Sequence, residues 1–394
     1  MKSVEILFWL FIFIIFYAYL GYGIVLFFMV RLKRLFSKSK TNHISDGYEP
    51  EVTLFVTAFN EKDYVEKKIQ NSNALEYPKD KLKQVWVTDG SDDGTPEMLA
   101  QFPEVIVYHS PERKGKIAAM NRGSMLVETP ILVFSDANTM LGKESIRRIV
   151  NLFADPKTGC VSGEKRIYSK ESDSASGAGE GIYWKYESTL KKWDSELNSV
   201  VGAAGELFAV RTVLFEKVEP DTLLDDFIVS LRIAMKGYKI KYDPEAFAIE
   251  SASKNVKEEL KRKIRISAGG IQSVLRLKDL LNPFKFPLLS FQYISHRVLR
   301  WTLAPLGLAL VFILNLFLVF DKNSSSVYTI LMFLQVLFYS AAIIGWILEN
   351  RSIKVKILFI PYYFFIMNYA VYLGFFRYIK GKQSVNWERA KRAD

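Results

Sequence analysis

Val85-Trp86-Val87-Thr88-Asp89-Gly90-Ser91-Asp92-Asp93-Gly94-Thr95 passes from a β-rich apolar run straight into an acidic turn punctuated by two glycines. An apolar run with no polar alternation reads as a strand buried on both faces, and the turn leaving such a strand lies where open α/β sheets bind ligands. The same pattern returns at Ile131-Leu132-Val133-Phe134-Ser135-Asp136-Ala137-Asn138. Residues 52–56 and 105–107 supply two further strands, and residues 63–75 and 116–126 supply helices between them. This alternation predicts an α/β fold with a largely parallel sheet covered on both faces. A dinucleotide-binding Gly-x-Gly-x-x-Gly turn is excluded after the first strand, where Thr57-Ala58-Phe59-Asn60-Glu61 stands instead.

Outside this α/β region, residues 7–30, 298–320, 327–348 and 357–376 are almost free of charge. Stretches of about 20 residues cross a ~30 Å hydrocarbon core as helices, so four spans are expected. The first is followed by Arg31-Leu32-Lys33-Arg34, Lys38 and Lys40 and by no small-residue cleavage site, which marks a retained anchor ending on its cytoplasmic side. With 394 residues and 49% hydrophobic content, the chain holds one sizeable soluble domain plus membrane segments. The 53 basic against 42 acidic residues give +11, and much of that excess flanks the apolar segments. Membrane topology and anionic lipid account for it, and no basic face interleaved with aromatics points to nucleic acid. Cys160 is the single cysteine, so no intrachain disulfide forms and the soluble part needs no oxidising compartment.

From residue 255 to 281, Val256, Leu260, Ile264, Ile271 and Leu275 recur at helical spacing among many Lys and Arg residues, the pattern of a basic helix lying in the membrane interface. The Ser- and Gly-rich stretch 169–181 reads as a connection or as a lid beside a site. The expected organisation is 1–47, anchor and basic linker; 48–254, cytoplasmic α/β domain; 255–296, amphipathic interface helices; 297–394, membrane helices and basic tail. Four full crossings would put the tail outside, yet it carries Arg377, Lys380, Lys382, Arg389, Lys391 and Arg392. Either the tail is an exception to the positive-inside tendency or one segment, the aromatic-rich 362–376, does not cross.

The polar residues at the strand ends suit work on a phosphorylated substrate. Asp136 and Asn138 could present oxygens to a divalent cation or to ribose and phosphates, or could form an Asx turn. Asp89, Asp92 and Asp93 make a tight acidic loop whose spacing excludes an EF-hand. Lys114-Gly115-Lys116 opens a helix, where a lysine meets phosphate or solvent. Asp225-Asp226 precedes a helical stretch and offers a general base or an N-terminal cap. His43, His109 and His296 lack metal-ligand spacing and are assigned no role.

Val56-Thr57-Ala58-Phe59-Asn60-Glu61, the loop 89–95, Arg113-Lys114-Gly115-Lys116 with Asn121, Ser135-Asp136-Ala137-Asn138, residues 202–208 and Asp225-Asp226 together resemble the family 2 inverting glycosyltransferases over about residues 50–270. The resemblance is to the membrane-integrated branch that includes cellulose, hyaluronan and poly-N-acetylglucosamine synthases. It implies a GT-A (Rossmann-like) domain inserted between an N-terminal transmembrane helix and C-terminal interface and transmembrane helices, in a multi-pass protein of the cytoplasmic (inner) membrane. It further implies that Thr57, Ala58, Glu61 and Asp89 hold the uridine end of a UDP-sugar, and that Lys116, Asp136 and Arg265 approach its diphosphate. Asp136 and Asn138 would hold Mg2+ or Mn2+. Asp226 would be the catalytic base, and Glu206, Asp225 and Ile266 would line the acceptor side.

Two departures bear on the product. Asn138 stands where the metal motif usually has a second acid, and Arg262-Lys263-Ile264-Arg265-Ile266 stands where processive members carry Gln-x-x-Arg-Trp. Isoleucine offers no flat ring for a sugar to stack on. The preferred expectation is transfer of one or a few sugars to a lipid-linked or membrane-proximal acceptor in glycolipid, cell-envelope or exopolysaccharide biosynthesis. A processive polysaccharide synthase is the alternative, and an inactive membrane scaffold is the reading from another class.

Overall fold

A computed structural model describes residues 1–36, 47–168, 176–251, 256–321, 325–351, 353 and 355–384. The tail cations Arg389, Lys391 and Arg392, and residues 169–175 of the Ser- and Gly-rich stretch, lie outside the described residues.

The chain opens with α1 (Lys2–Phe36), which contains a π-helical turn at Tyr17–Gly21. The α/β unit follows: β1 (Val52–Ala58), α2 (Lys62–Asn73), β2 (Leu82–Asp89), α3 (Thr95–Leu99), β3 (Val105–Ser110), α4 (Lys116–Ser124) and β4 (Ile131–Asp136). Next come β5 (Met140–Leu141), α5 (Ser145–Leu152), β6 (Thr158–Tyr168), α6 (Ser176–Leu197), β7 (Leu207–Arg211), α7 (Asp225–Met235) and β8 (Lys239–Ser251). One eight-stranded sheet runs in the order β3-β2-β1-β4-β7-β6-β8-β5. Its β3-β2-β1-β4 half is parallel, as expected. The sheet as a whole is mixed, because β7 runs antiparallel to both β4 and β6, and β5 antiparallel to β8. The expected largely parallel sheet is thereby corrected to a mixed one.

Two apolar cores cover the two faces. Phe55, Val85, Val87 and Phe134 pack with α4 and α7 on one face, while Leu54, Val56, Trp86 and Val133 pack with α2 and α5 on the other. Adjacent residues of one strand thus serve opposite cores, the period-two consequence of the pleat. The stretch 169–181 is not simply a connection, since α6 begins at Ser176.

Beyond the sheet lie α8 (Val256–Arg276), α9 (Pro287–Trp301), α10 (Leu303–Val319), α11 (Ser326–Asn350) and α12 (Lys356–Ile379). Among the described residues three helices, those of α1, α11 and α12, are long and apolar enough to cross a membrane; α9 and α10, bent by 50° at their break, make up to four if counted as one span. α1 packs along α10, with Phe8 against Val311 and Leu318, and Gly307 letting Phe11 and Ile15 approach. A buried polar knot joins α1, α6 and α9. Tyr22 Oη donates to Asp194, Gln292 Nε2 donates to Asp194 Oδ1 at 2.9 Å, and His296 Nδ1 lies 2.7 Å from Asp194 Oδ2. Glu187 on α6 also receives Arg300. His296 is therefore a fully buried bridge between helices.

Candidate active site

Strand register brings the site residues together. Thr57 on β1 is opposite Val87 and Asp136, and Ala58 is opposite Thr88, so Thr57 and Ala58 sit between the carboxylates that end β2 and β4. Leu207 pairs with Ser135, which places Glu206 beside Asp136 at the same edge. The edge opens into a solvent-open cleft lined by Thr57, Ala58, Phe59, Asp89, Arg113 and Lys116, among others.

The acidic loop after β2 divides its labour. Asn60, at φ 54°, is held by Ser91 Oγ on its backbone N–H, and its side chain exchanges hydrogen bonds with Asp92. Asp93 accepts from the backbone N–H groups of Lys62 and Thr95. Asp92 and Asp93 thus fold the turn, and Asp89 faces the cleft. Asp89 Oδ2 accepts from the backbone N–H of Lys114 at 2.9 Å and of Gly115 at 2.6 Å, while Oδ1 lies 3.6 Å from Arg122. The amides before α4 are therefore engaged by a carboxylate. Gly90 has φ 70°, and a Cβ there would come within 2.8 Å of the Arg113 backbone, so this turn requires glycine. The Arg113 guanidinium lies 3.7 Å over the Phe59 ring, giving the cleft a flat cationic wall.

Lys116 reaches across the strand ends. Its Nζ donates to Asp136 Oδ1 at 2.7 Å and lies 3.7 Å from Asp225 Oδ2, an oxygen that is buried and has no hydrogen-bond partner. Burial opposes the lysine's charge, but Asp136 and Asp225 outweigh it and hold the ammonium well above the ordinary lysine range. The first turn of α7 carries Asp225 and Asp226, and the N-cap position is Leu224 with no side-chain cap. Neither residue occupies the N-cap position, although the Asp226 carboxylate accepts from the backbone N–H of Phe227. Burial first, then the neighbouring Asp225 charge, pushes Asp226 up to about 7 against the pull of Lys116. Gly205 leaves room for it: a Cβ there would lie 3.2 Å from Asp226 Oδ2.

Arg265 on α8 faces the same group; burial lowers its affinity for the proton, while Asp225, Asp136 and Asp226 act in the opposite sense. Glu206 is bridged to Glu250 by buried Lys165, whose ammonium overcomes burial and keeps Glu206 strongly acidic. Arg262, at the position of the processive glutamine, is held bidentately by Glu259 at 3.1 and 3.0 Å. Beneath the site, Lys68 donates to Ser135 Oγ at 2.7 Å and to the Thr139 carbonyl at 2.6 Å, and burial lowers it to about 7.

Thr57, Ala58, Asp89, Lys116, Asp136, Asp225, Asp226, Glu206 and Arg265 thus converge on one edge of the sheet. Glu61 sits buried at the start of α2, with its backbone N–H on Thr95 Oγ1, and does not line the cleft. Asn138 and Ile266 are half-buried, two residues beyond Asp136 and one beyond Arg265. Lys165, Glu250, Arg122 and Lys68 were not legible as site residues, because each lies inside a strand or helix with no motif around it. Among the described residues no three His, Cys, Asp or Glu side chains form a metal cage. A hard cation here would rest on Asp136 and Asn138 oxygens, completed by phosphate and water, which suits Mg2+ or Mn2+ better than an all-protein site.

A sequence profile described as "Glycosyltransferase like family 2" matches residues 50–269. The poly-beta-1,6-N-acetyl-D-glucosamine synthase of Staphylococcus aureus (strain MSSA476) is 27% identical over 266 residues, 64% of this chain and 62% of that protein. The enzyme of the same name from Staphylococcus epidermidis is 25% identical over 237 residues, 57% of this chain and 56% of its own. The chain therefore spans less than two thirds of the length of these relatives. Among solved structures, a mannosyltransferase from Pyrobaculum calidifontis in complex with GDP-Man and Mn2+ superposes with a TM-score of 0.72 at 21% identity, covering 96% of this chain and 100% of that one. That likeness is one of fold, and it extends through the terminal helices as well as the GT-A domain. With the profile matching more than half of its length, the chain belongs to the family 2 glycosyltransferases.

Proposed function

We propose that the chain transfers a sugar from a UDP-sugar to a membrane-proximal or lipid-linked acceptor with inversion at the anomeric carbon, on the cytoplasmic face of the inner membrane. The observation that carries this reading is the convergence of Lys116, Asp136, Asp225, Asp226 and Arg265 beside the cleft lined by Thr57, Ala58 and Asp89. Thr57, Ala58 and Asp89 serve the nucleoside end, Arg113 over Phe59 flanks it, and Lys116 with Arg265 meets the diphosphate; Glu61, buried behind the cleft, is left out of the donor site. Asp136 and Asn138 hold a divalent cation, which when bound neutralises charge on the departing diphosphate. Glu206, Asp225 and Ile266 face the acceptor. Asp226 takes the proton from the acceptor hydroxyl as that oxygen bonds to the anomeric carbon. The carbon–oxygen bond to the diphosphate breaks with its electron pair going to UDP. A raised pKa suits this role, because a base poised near neutral pH combines correct ionisation with proton affinity.

A processive synthase is favoured by one specific observation, the names of the staphylococcal relatives. Ile266 in place of a stacking indole favours short products. Protein reconstituted in lipid, given labelled UDP- and GDP-sugars and analysed for product length, separates these readings. One- or few-sugar products from a UDP donor are expected, and long chains would overturn the preferred version. Nucleotide release unchanged by Asp226→Asn would point to a misassigned base or a scaffold, and turnover unchanged by chelation would remove the cation.

A further inference from the structure

Hydropathy alone makes α12 a membrane span, but its neighbours place it elsewhere. Its first half packs Phe359, Tyr362, Tyr363 and Ile366 against Val256 and Leu260 of α8. Further along, a Cβ on Gly374 would lie 2.7–2.8 Å from Ser267 Cβ, Ala268 N and the Ile264 carbonyl, so the two backbones touch there. The two helices run side by side, in the same direction, from Val256 to Ala268. The α8 partner cannot enter hydrocarbon: Lys257, Glu258, Glu259, Lys261, Arg262, Lys263 and Arg265 crowd its first half. Its other side is fastened to the catalytic domain. Gln272 Nε2 donates to the Asp221 carbonyl at 2.8 Å, Gln272 Oε1 accepts from Leu223 N at 3.0 Å, and Arg276 binds Thr222 Oγ1 at 2.7 Å.

The start of α12 also packs on the second half of α11, where Gly345 meets Leu358 and Tyr362, and Phe338 and Tyr339 meet Phe364 and Phe365; two hydrogen bonds then fix the depth of its later part. Asn368 accepts from Tyr19, and Tyr372 Oη donates to the Pro305 carbonyl at 2.7 Å. Tyr19 lies in the π turn of α1, next to Ala18, whose carbonyl receives Arg300 of α9; Pro305 lies just past the bend into α10. Pro305 is at the start of α10, and Tyr19 is at the middle of α1, just before the half of that helix, from Tyr22 to Val30, that packs on Leu190 and Leu197 of α6. The far ends are marked instead by Glu5, Trp9 and Tyr328, which α12 does not reach. The side of α12 turned from α8 carries exposed Ile357, Ile360, Phe376 and Ile379. Arg377, Lys380 and Lys382 follow at its end.

We propose that α12 is an interface helix, lying in the lipid leaflet on the catalytic-domain side with α8 between it and the domain. The membrane is then crossed by α1, α10 and α11, and residues 377–384 share a side with the catalytic domain. The basic residues beyond α12 then satisfy the positive-inside tendency that four crossings would violate. The partner of the exposed apolar side is the bilayer itself, anchored by tyrosines and cations as interfacial helices are.

The test uses the full chain in sealed vesicles and a membrane-impermeant maleimide. Native Cys160 is fully buried, so background labelling is low. Lys217→Cys reports the catalytic-domain side, Ser326→Cys the loop between α10 and α11, and Lys382→Cys the end of α12. All three positions are exposed. Lys382→Cys is expected to label together with Lys217→Cys and opposite to Ser326→Cys, with the pattern reversed in inverted vesicles. Labelling of Lys382→Cys from the Ser326 side would overturn the proposal. As a second measurement, a protease site placed after Ser384 is expected to be cut only from the Lys217 side; cutting from the other side would overturn it equally. Neither readout depends on transferase activity.

Discussion

Replacing Asp226 with asparagine should move activity and stability in opposite directions. A general base contributes about 10^2–10^4-fold to turnover, equivalent to about 3–5 kcal/mol of barrier, and that is the loss the role proposed for Asp226 predicts. Donor KM should change little, since the cleft around Thr57, Asp89 and Lys116 is left intact. The stability effect follows from linkage. An ordinary aspartate titrates at 3.8, whereas burial and Asp225 bring Asp226 to about 7 in the folded chain. Between those values the folded chain retains a proton that the unfolded chain has released. Ionising Asp226 therefore costs stability increasingly as pH rises from about 4 to about 7, and the cost is constant above that. Three pH units at about 1.4 kcal/mol each give a ceiling of about 4 kcal/mol, and partial hydration of the half-buried carboxyl reduces this to about 2. Asparagine never ionises, so Asp226→Asn should unfold at a higher temperature than wild type at about pH 8 and at the same temperature at about pH 4. Turnover and thermal unfolding of the reconstituted protein at both pH values test this. Retention of more than about a tenth of wild-type turnover would remove Asp226 as the base. A variant less stable than wild type at alkaline pH would refute the account of its environment.

The other expectations concern the neighbours of Asp226. Turnover should rise with pH around a midpoint near 7, and Asp225→Asn should shift this acid limb to lower pH, because it removes a like charge while burial remains; an unmoved limb in a pH–rate profile would contradict the pairing. Asn138→Asp adds a charged oxygen ligand, so the Mn2+ concentration for half-maximal turnover should fall by on the order of tenfold, and an unchanged cation titration would place Asn138 outside the metal site. Lys165→Met leaves Glu206 and Glu250 buried without their shared cation, and should destabilise the chain by about 3–5 kcal/mol in denaturant titration.

The parallel half of the sheet was legible because Val52, Val85 and Ile131 open apolar runs long enough to be buried on both faces. The other half, in which β7 and β5 run antiparallel to their neighbours while β6 and β8 pair in parallel, was not. β6 carries Glu164, Lys165 and Arg166 within the strand, and charges paired only through tertiary contacts break the pattern that marks a strand in sequence. The acidic loop was legible as a site but not in its division of labour. Asp92 and Asp93 differ from Asp89 only in facing Asn60 and Thr95 rather than the cleft, a distinction set by the Asn60 turn. Lys116 was legible as a lysine at a helix start, open to phosphate or solvent, but its span from Asp136 to Asp225 joins residues about a hundred positions apart. Helix α12 shows the same limit in the membrane region, where hydropathy measures burial from water and is blind to whether a helix is buried by crossing or by lying flat against α8.

Helix α8 ties the membrane to the chemistry. Its Gln272 and Arg276 grip residues 221–223, the segment that leads directly into Asp225 and Asp226, and Gly269 lets Leu223 and Leu224 pack onto its backbone. One turn earlier, Arg265 faces the carboxylates. Earlier still, Arg262 and Lys263 are fixed by Glu259. Its opposite side receives Gly374 of α12. A base on a free loop would lose alignment with an acceptor held in the lipid plane, since a displacement of about 1 Å costs on the order of a hundredfold in rate. Seating Asp226, the proposed base, against α8 removes that freedom if α8 is docked on the interface as the sequence predicts. This gives a physical reason for the basic amphipathic helix to follow the catalytic domain directly, with Arg265 and the grip on the base only two to three turns apart on the same rod.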